Sequence, residues 1–140
     1  MRAEIIDEPR VGRIMIVEDD PDLRAGLSEF LVGEGYAVDT AANGREALDQ
    51  LRQAPLPSLI FLDLMMPVMS GQEFMEQQQR DPALRAIPVV VLSAAGAFEP
   101  REAATSVVAS FIKPFDLEWL IPFAERYARA VESRQLRVES

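Results

Sequence analysis

Hydrophobic positions in this chain fall into short unbroken runs, separated by stretches in which apolar residues recur every three to four positions. Ile14–Val17, Leu59–Leu62 and Val89–Leu92 are continuous apolar runs, the pattern of strands buried on both faces of a parallel sheet. Tyr36–Ala41 and Phe111-Ile112 supply two further strand segments. Between the first two strands, Leu23, Leu27, Phe30 and Leu31 form a helical stripe that opens at Pro21, with Asp20 as N-cap, and ends at Gly33 and Gly35. Proline suits the first helical position, and aspartate accepts the orphan N–H groups there. Asn43-Gly44 opens a second helix that runs to about Gln53, and Pro55 and Pro57 separate it from the third strand. Pro67 to Gly71 reads as a loop, with a third helix beginning at Phe74 and Met75. Asp81-Pro82 and Pro88 bracket a short connector into the fourth strand. The stretch from Ala94 to Val108 has few large apolar residues, so a helix there is expected to be short or mobile. The last helix carries Leu117, Leu120, Ile121, Ala124, Tyr127, Ala128 and Val131 on one face. Pro122 is expected to delay or kink it.

Strands alternating with helices predict an α/β fold: a doubly wound, five-stranded parallel sheet with helices on both faces. Right-handed crossovers leave few strand orders, of which the flavodoxin-like 2-1-3-4-5 is the most economical. In that order the carboxyl ends of the strands gather Glu18 and Asp19, Asp63, Ser93 and Lys113 along one rim, where open α/β sheets place their ligands.

Composition narrows the chemistry available to that rim. The chain of 140 residues is most simply one domain, with residues 1–12 as a loosely ordered leader, 13–135 as the folded unit and 136–140 as a tail. It contains no cysteine and no histidine. Disulfides, thiol catalysis and phosphohistidine are therefore excluded, and a histidine phosphodonor must be another molecule. A net charge of −9 argues against nucleic-acid binding, which relies on Lys and Arg to neutralise phosphates, and against anionic membranes. No stretch approaches the roughly 18 apolar residues of a membrane span, and no signal peptide is visible, so a cytoplasmic location is expected.

Two carboxylates about 4 Å apart repel by roughly 4 kcal/mol at an effective dielectric of ~20, so converging acids must protonate, separate or take up a cation. Magnesium suits them, being a hard ion usually held by one or two carboxylates and several waters. Asp20 and Asp22 are accounted for by the helix start, whereas Glu18 and Asp19 are not. Asp63 lies in an apolar stretch between Leu62 and Leu64, where an unpaired charge is costly. It reads either as a loop cap or as a carboxylate nucleophile able to form an aspartyl phosphate. Lys113 is the single lysine beside thirteen arginines; its compact ammonium can meet a phosphoryl oxygen or a carboxylate as a point charge. Ser93 offers a hydroxyl donor.

Taken together, Ile-Val-Glu-Asp-Asp at 16–20, Leu-Asp-Leu-Met-Met-Pro at 62–67 with Gly71, Val-Leu-Ser-Ala at 91–94 and Lys-Pro-Phe at 113–115 resemble the receiver domain of bacterial two-component response regulators. The resemblance spans roughly residues 12–135. It implies Asp63 as phosphoacceptor and a Mg2+ ion held by Asp19, Asp63, the backbone carbonyl of Met65 and, through water, Glu18. It implies Ser93 and Lys113 as phosphoryl-stabilising switch residues and a cis bond before Pro114. Met65 and Ala95 would modulate phosphoryl lifetime. The implied partners are a sensor histidine kinase or histidine phosphotransfer protein and a downstream protein target; homodimerisation stays open. The implied activity is that of a stand-alone receiver that catalyses only its own phosphorylation and dephosphorylation.

Two departures from the family pattern fall on one face. Ser93 and Lys113 are twenty positions apart, fewer than usual. Ser110 stands where the family carries an aromatic switch residue, with Phe111 one place later. They motivate a competing expectation, an interaction module that works without phosphorylation. An aspartyl-nucleophile phosphatase is disfavoured because Met65 stands where its general acid would be. A nucleotide-binding reading lacks a glycine-rich loop after the first strand.

Overall fold

The computed structural model describes residues 12–53, 55–95 and 106–129. Five strands form one all-parallel sheet: β1 (Arg13–Val17), β2 (Ala37–Ala41), β3 (Leu59–Asp63), β4 (Val89–Ser93) and β5 (Val107–Ile112). Their spatial order is β2-β1-β3-β4-β5, as the alternation of runs and stripes predicts. Among the described residues the α-helices are α1 (Pro21–Gly33), α2 (Gly44–Leu51), α3 (Gly71–Arg80) and α4 (Ile121–Ala124).

The apolar runs are continuous because both sheet faces are covered. Met15, Val17, Ile60, Leu62, Val89 and Val91 pack with Ala47, Leu48 and Leu51 of α2 and Phe74 and Met75 of α3. The alternate positions Ile14, Ile16, Leu59, Phe61, Val90 and Leu92 pack with Leu27 and Leu31 of α1 and with Leu120, Ala124 and Ala128 at the carboxyl end. Each fully buried aliphatic or aromatic side chain contributes about 1.5–3 kcal/mol. The three central strands therefore form a stiff platform whose carboxyl ends hold the polar residues.

Some local expectations are corrected. The third helix starts at Gly71, three residues before Phe74, because Ser70 and Glu73 form a reciprocal capping box. The second ends at Leu51. Near the carboxyl end the expected delay is seen: the apolar stripe opens at Leu117, but α-helix begins only at Ile121, beside Pro122. Without an N–H, Pro122 cannot bond the carbonyl of Glu118; instead the Ile121 N–H takes that carbonyl, and Leu117–Leu120 tightens into a 3₁₀ turn ahead of α4. A π-helical turn, Glu125–Arg129, follows. Val131, most of the 94–108 stretch and the flanks at 1–11 and 136–140 lie outside the described residues.

On β5, Ser110 and Ile112 are exposed, while Ala109 and Phe111 pack toward α1 and α4. A bulge at Val108, between the pairs Val89–Val107 and Val90–Ala109, sets this phase. Phe111 lies within an aromatic cluster, 5.6 Å from Phe123, 6.1 Å from Phe115 and 6.4 Å from Trp119 between ring centroids. It therefore occupies the sheet face opposite Ser110 and does not substitute for the missing aromatic.

Candidate phosphoacceptor and metal site

The acid pair sits at the junction of β1 and α1. Asp20 caps α1, its carboxylate accepting from the N–H groups of Asp22 and Leu23, which confirms its helix-capping role. Glu18 continues the line of β1 by donating its N–H to the Ala41 carbonyl at 3.0 Å, and it is 0% exposed. Both its carboxylate oxygens are engaged: Oε1 accepts from Lys113 Nζ at 2.9 Å and Oε2 from the Asp20 N–H at 3.1 Å. Asp19 is exposed.

Asp63 ends β3, only 2% exposed. Its Oδ1 accepts from the Met65 N–H at 3.2 Å and lies 3.4 Å from Lys113 Nζ. One carboxylate oxygen from each of Glu18, Asp19 and Asp63 falls within 4.8 Å of the others. Residues separated by as many as 95 positions thus meet at one place. At that spacing each pair of charges repels by roughly 3–4 kcal/mol at an effective dielectric of ~20, and a single ammonium offsets only part of it. The three hard oxygen donors fit a magnesium ion.

The same crowding shows in the protonation of the site. Burial first, and then the Glu18 charge, push the Asp63 carboxyl up to about 7, against the opposing pull of the Met65 N–H and Lys113. Burial alone would lower the Lys113 pKa, but its hydrogen bond to Glu18 and the charges of Glu18 and Asp63 raise it overall. Lys113 is therefore cationic throughout the neutral range.

Two neighbouring strand ends complete the rim. Ser93 is buried one place beyond Leu92, the register partner of Asp63. Its carbonyl accepts the Lys113 N–H at 2.7 Å, tying the fifth strand's exit to the fourth. The Lys113–Pro114 bond is cis. Met65 is 64% exposed, and Ala95, two places after Ser93, is exposed.

The loop after β3 is closely fitted. The Gly71 N–H donates to the Leu64 carbonyl at 3.0 Å. A Cβ at Gly71 would lie 2.6 Å from the Asp63 carbonyl oxygen and 2.7 Å from Leu64 Cα, so only glycine lets α3 begin against the end of β3. Val68 holds φ at 69°, a left-handed conformation unfavourable for a β-branched residue.

Sequence reasoning missed one participant. Arg24 of α1 donates from Nη1 to the Glu18 carbonyl at 2.8 Å and to the Asp19 carbonyl at 3.4 Å. Among thirteen arginines, nothing but its place one turn after the Asp20 cap distinguishes it.

The family model described as "Response regulator receiver domain" matches residues 14–124. Response regulator Rre1 of Synechocystis is 38% identical over 106 residues, covering 74% of this chain and 46% of that protein. The chain thus spans about half the length of that curated relative. Among solved structures, chemotaxis protein CheY4 of Vibrio cholerae superposes with a TM-score of 0.75 at 30% identity, covering 84% of this chain and 99% of that one. Response regulator TrrA of Thermotoga maritima, solved in complex with Mg2+-BeF, superposes with a TM-score of 0.72 at 28% identity, covering 83% of this chain and 98% of that one.

Proposed function

We propose, for a chain that belongs to the response regulator receiver domain family, that Asp63 is the acceptor of a phosphoryl group delivered by a phosphohistidine. The donor is a sensor histidine kinase or a histidine phosphotransfer protein, consistent with the chain's own lack of histidine. The observation that carries this reading is a carboxylate 2% exposed, 3.4 Å from the only lysine and grouped with two further acids. Such an arrangement costs stability unless a cation and a phosphoryl group use it.

In the reaction, a carboxylate oxygen of Asp63 attacks phosphorus while the P–N bond to the donor histidine breaks. The bonding pair returns to the imidazole, which takes up a proton. Asp19, Asp63, the Met65 carbonyl and, through water, Glu18 would hold magnesium. The bound ion would supply charge neutralisation at the transferring oxygens. The Thermotoga relative, solved in complex with Mg2+-BeF, supports magnesium as the ion. Lys113 turns from Glu18 and Asp63 toward a phosphoryl oxygen, and the Ser93 hydroxyl donates to another, so the exits of β4 and β5 shift together. The size of that shift is bounded by the difference in interaction energy between the two arrangements. Met65 and Ala95 place apolar side chains where hydrolytic water approaches and slow its entry.

The same reading assigns residues 13–135 to one receiver unit flanked by a leader and a tail, in the cytoplasm. Its output is a phosphorylation-dependent contact with a protein target. Acetyl phosphate with magnesium, followed by intact-mass measurement, tests the proposal. One added phosphoryl is expected, with none in EDTA or in Asp63→Asn. Full incorporation in Asp63→Asn would overturn the assignment.

A further inference from the structure

We infer that Arg24 is a positioning residue for the magnesium site, setting the acid pair from behind; this rests on the metal-dependent reading of that site. Glu18 is fixed at four points: its N–H on Ala41, its two carboxylate oxygens on Lys113 and Asp20, and its carbonyl on Arg24. The Arg24 contact, at 2.8 Å, is the shortest of the four. It reaches the two consecutive carbonyls of the residues whose side chains enter the acid cluster.

Arg24 is also tied to the loop through its own backbone, since its N–H donates to the Asp20 carbonyl at 2.9 Å. The first turn of α1 and the end of β1 are thereby joined into one closed unit, with Asp19 at its apex. Partners that orient ligands in this indirect way typically cost 10–100-fold in metal affinity when removed. Both contacts come from one guanidinium nitrogen, Nη1, and a guanidinium is more weakly hydrated than an ammonium, which favours its use against backbone carbonyls.

The sign of the effect separates this role from a bystander charge. Arg24 is a cation beside an anionic site. If it acted only through its charge, removing it would strengthen magnesium binding. If it holds the loop, removing it weakens binding despite the relief of repulsion.

Magnesium titrated calorimetrically into the wild type, Arg24→Met, Arg24→Lys and Asp19→Asn decides the matter. Binding is expected in the wild type, at least about tenfold weaker in Arg24→Met, intermediate in Arg24→Lys and lost in Asp19→Asn. A dissociation constant in Arg24→Met equal to or tighter than wild type overturns the inference while leaving the phosphoacceptor reading intact. Should Arg24→Met fail to fold, Arg24→Lys carries the test, and an unchanged or tighter constant there overturns it. Absence of magnesium binding in the wild type would overturn both readings.

Discussion

At the scale of single residues, the site is a balance of charge that is incomplete within the protein itself. Asp63 is held near pKa 7 mainly by burial and by the Glu18 charge. The native state therefore binds a proton at Asp63 that the unfolded chain releases near pH 4. The associated stability is fully present below the unfolded pKa of 3.8 and is lost as pH rises through about 7. Metal-free Asp63→Asn should consequently be more stable than wild type at pH 8, by up to about 4 kcal/mol, and nearly equal to it at pH 4. Urea denaturation in EDTA at the two pH values measures this; an equal difference at both would remove Asp63 burial as the cause. The members of this balance were legible in the sequence because each ends or follows an apolar run: Glu18 and Asp19 after Val17, Asp63 after Leu62, Lys113 after Ile112. Arg24 was not, because its contacts are to backbone carbonyls, which leave no side-chain pattern.

At the scale of elements, the strands set the distances and the loops are fitted to them. Strand positions could be read because buried parallel strands are continuous runs and Pro and Gly punctuate the exits, and strand order because right-handed crossovers leave few alternatives. The start of α3 was missed because its first turn is polar, with apolar periodicity appearing only at Phe74; the Ser70–Glu73 capping box was the available signal. The 3₁₀ turn ahead of α4 follows from a hydrogen bond that Pro122 cannot make, a consequence visible only once Glu118 is placed one turn earlier. Contact between α3 and the end of β3 gives a further prediction. Gly71→Ala places a methyl against the Asp63 carbonyl and Leu64 Cα, and overpacking of this kind costs about 1–3 kcal/mol. Because the displaced backbone is that of Asp63, magnesium affinity should fall together with the denaturation midpoint. A stability loss with unchanged magnesium affinity would mean that the loop absorbs the clash away from the site.

At the scale of the whole molecule, a parallel sheet gathers Glu18, Asp19 and Asp63 at one charge-crowded rim. Among the described residues no helix is long and apolar enough to cross a membrane. Magnesium should stabilise the fold by mass action, by about 1.4 kcal/mol at ten times its dissociation constant. That corresponds to a rise of a few degrees in Tm, on the order of 2–8 °C. The rise should be larger at pH 8 than at pH 5, since protonated Asp63 is a poor ligand, and Asp19→Asn should abolish it. Differential scanning calorimetry across that range measures it, and a rise independent of pH would place the ion elsewhere. Phe111 packs on the sheet face opposite Ser110, within the aromatic cluster. The identity of the phosphorylated atom bears most directly on the whole account. Borohydride reduces an aspartyl phosphate to homoserine, so phosphodonor-treated protein can be trapped, digested and sequenced by mass spectrometry. Homoserine at position 63, dependent on magnesium, is the result expected; homoserine at another acid, or none, would contradict it.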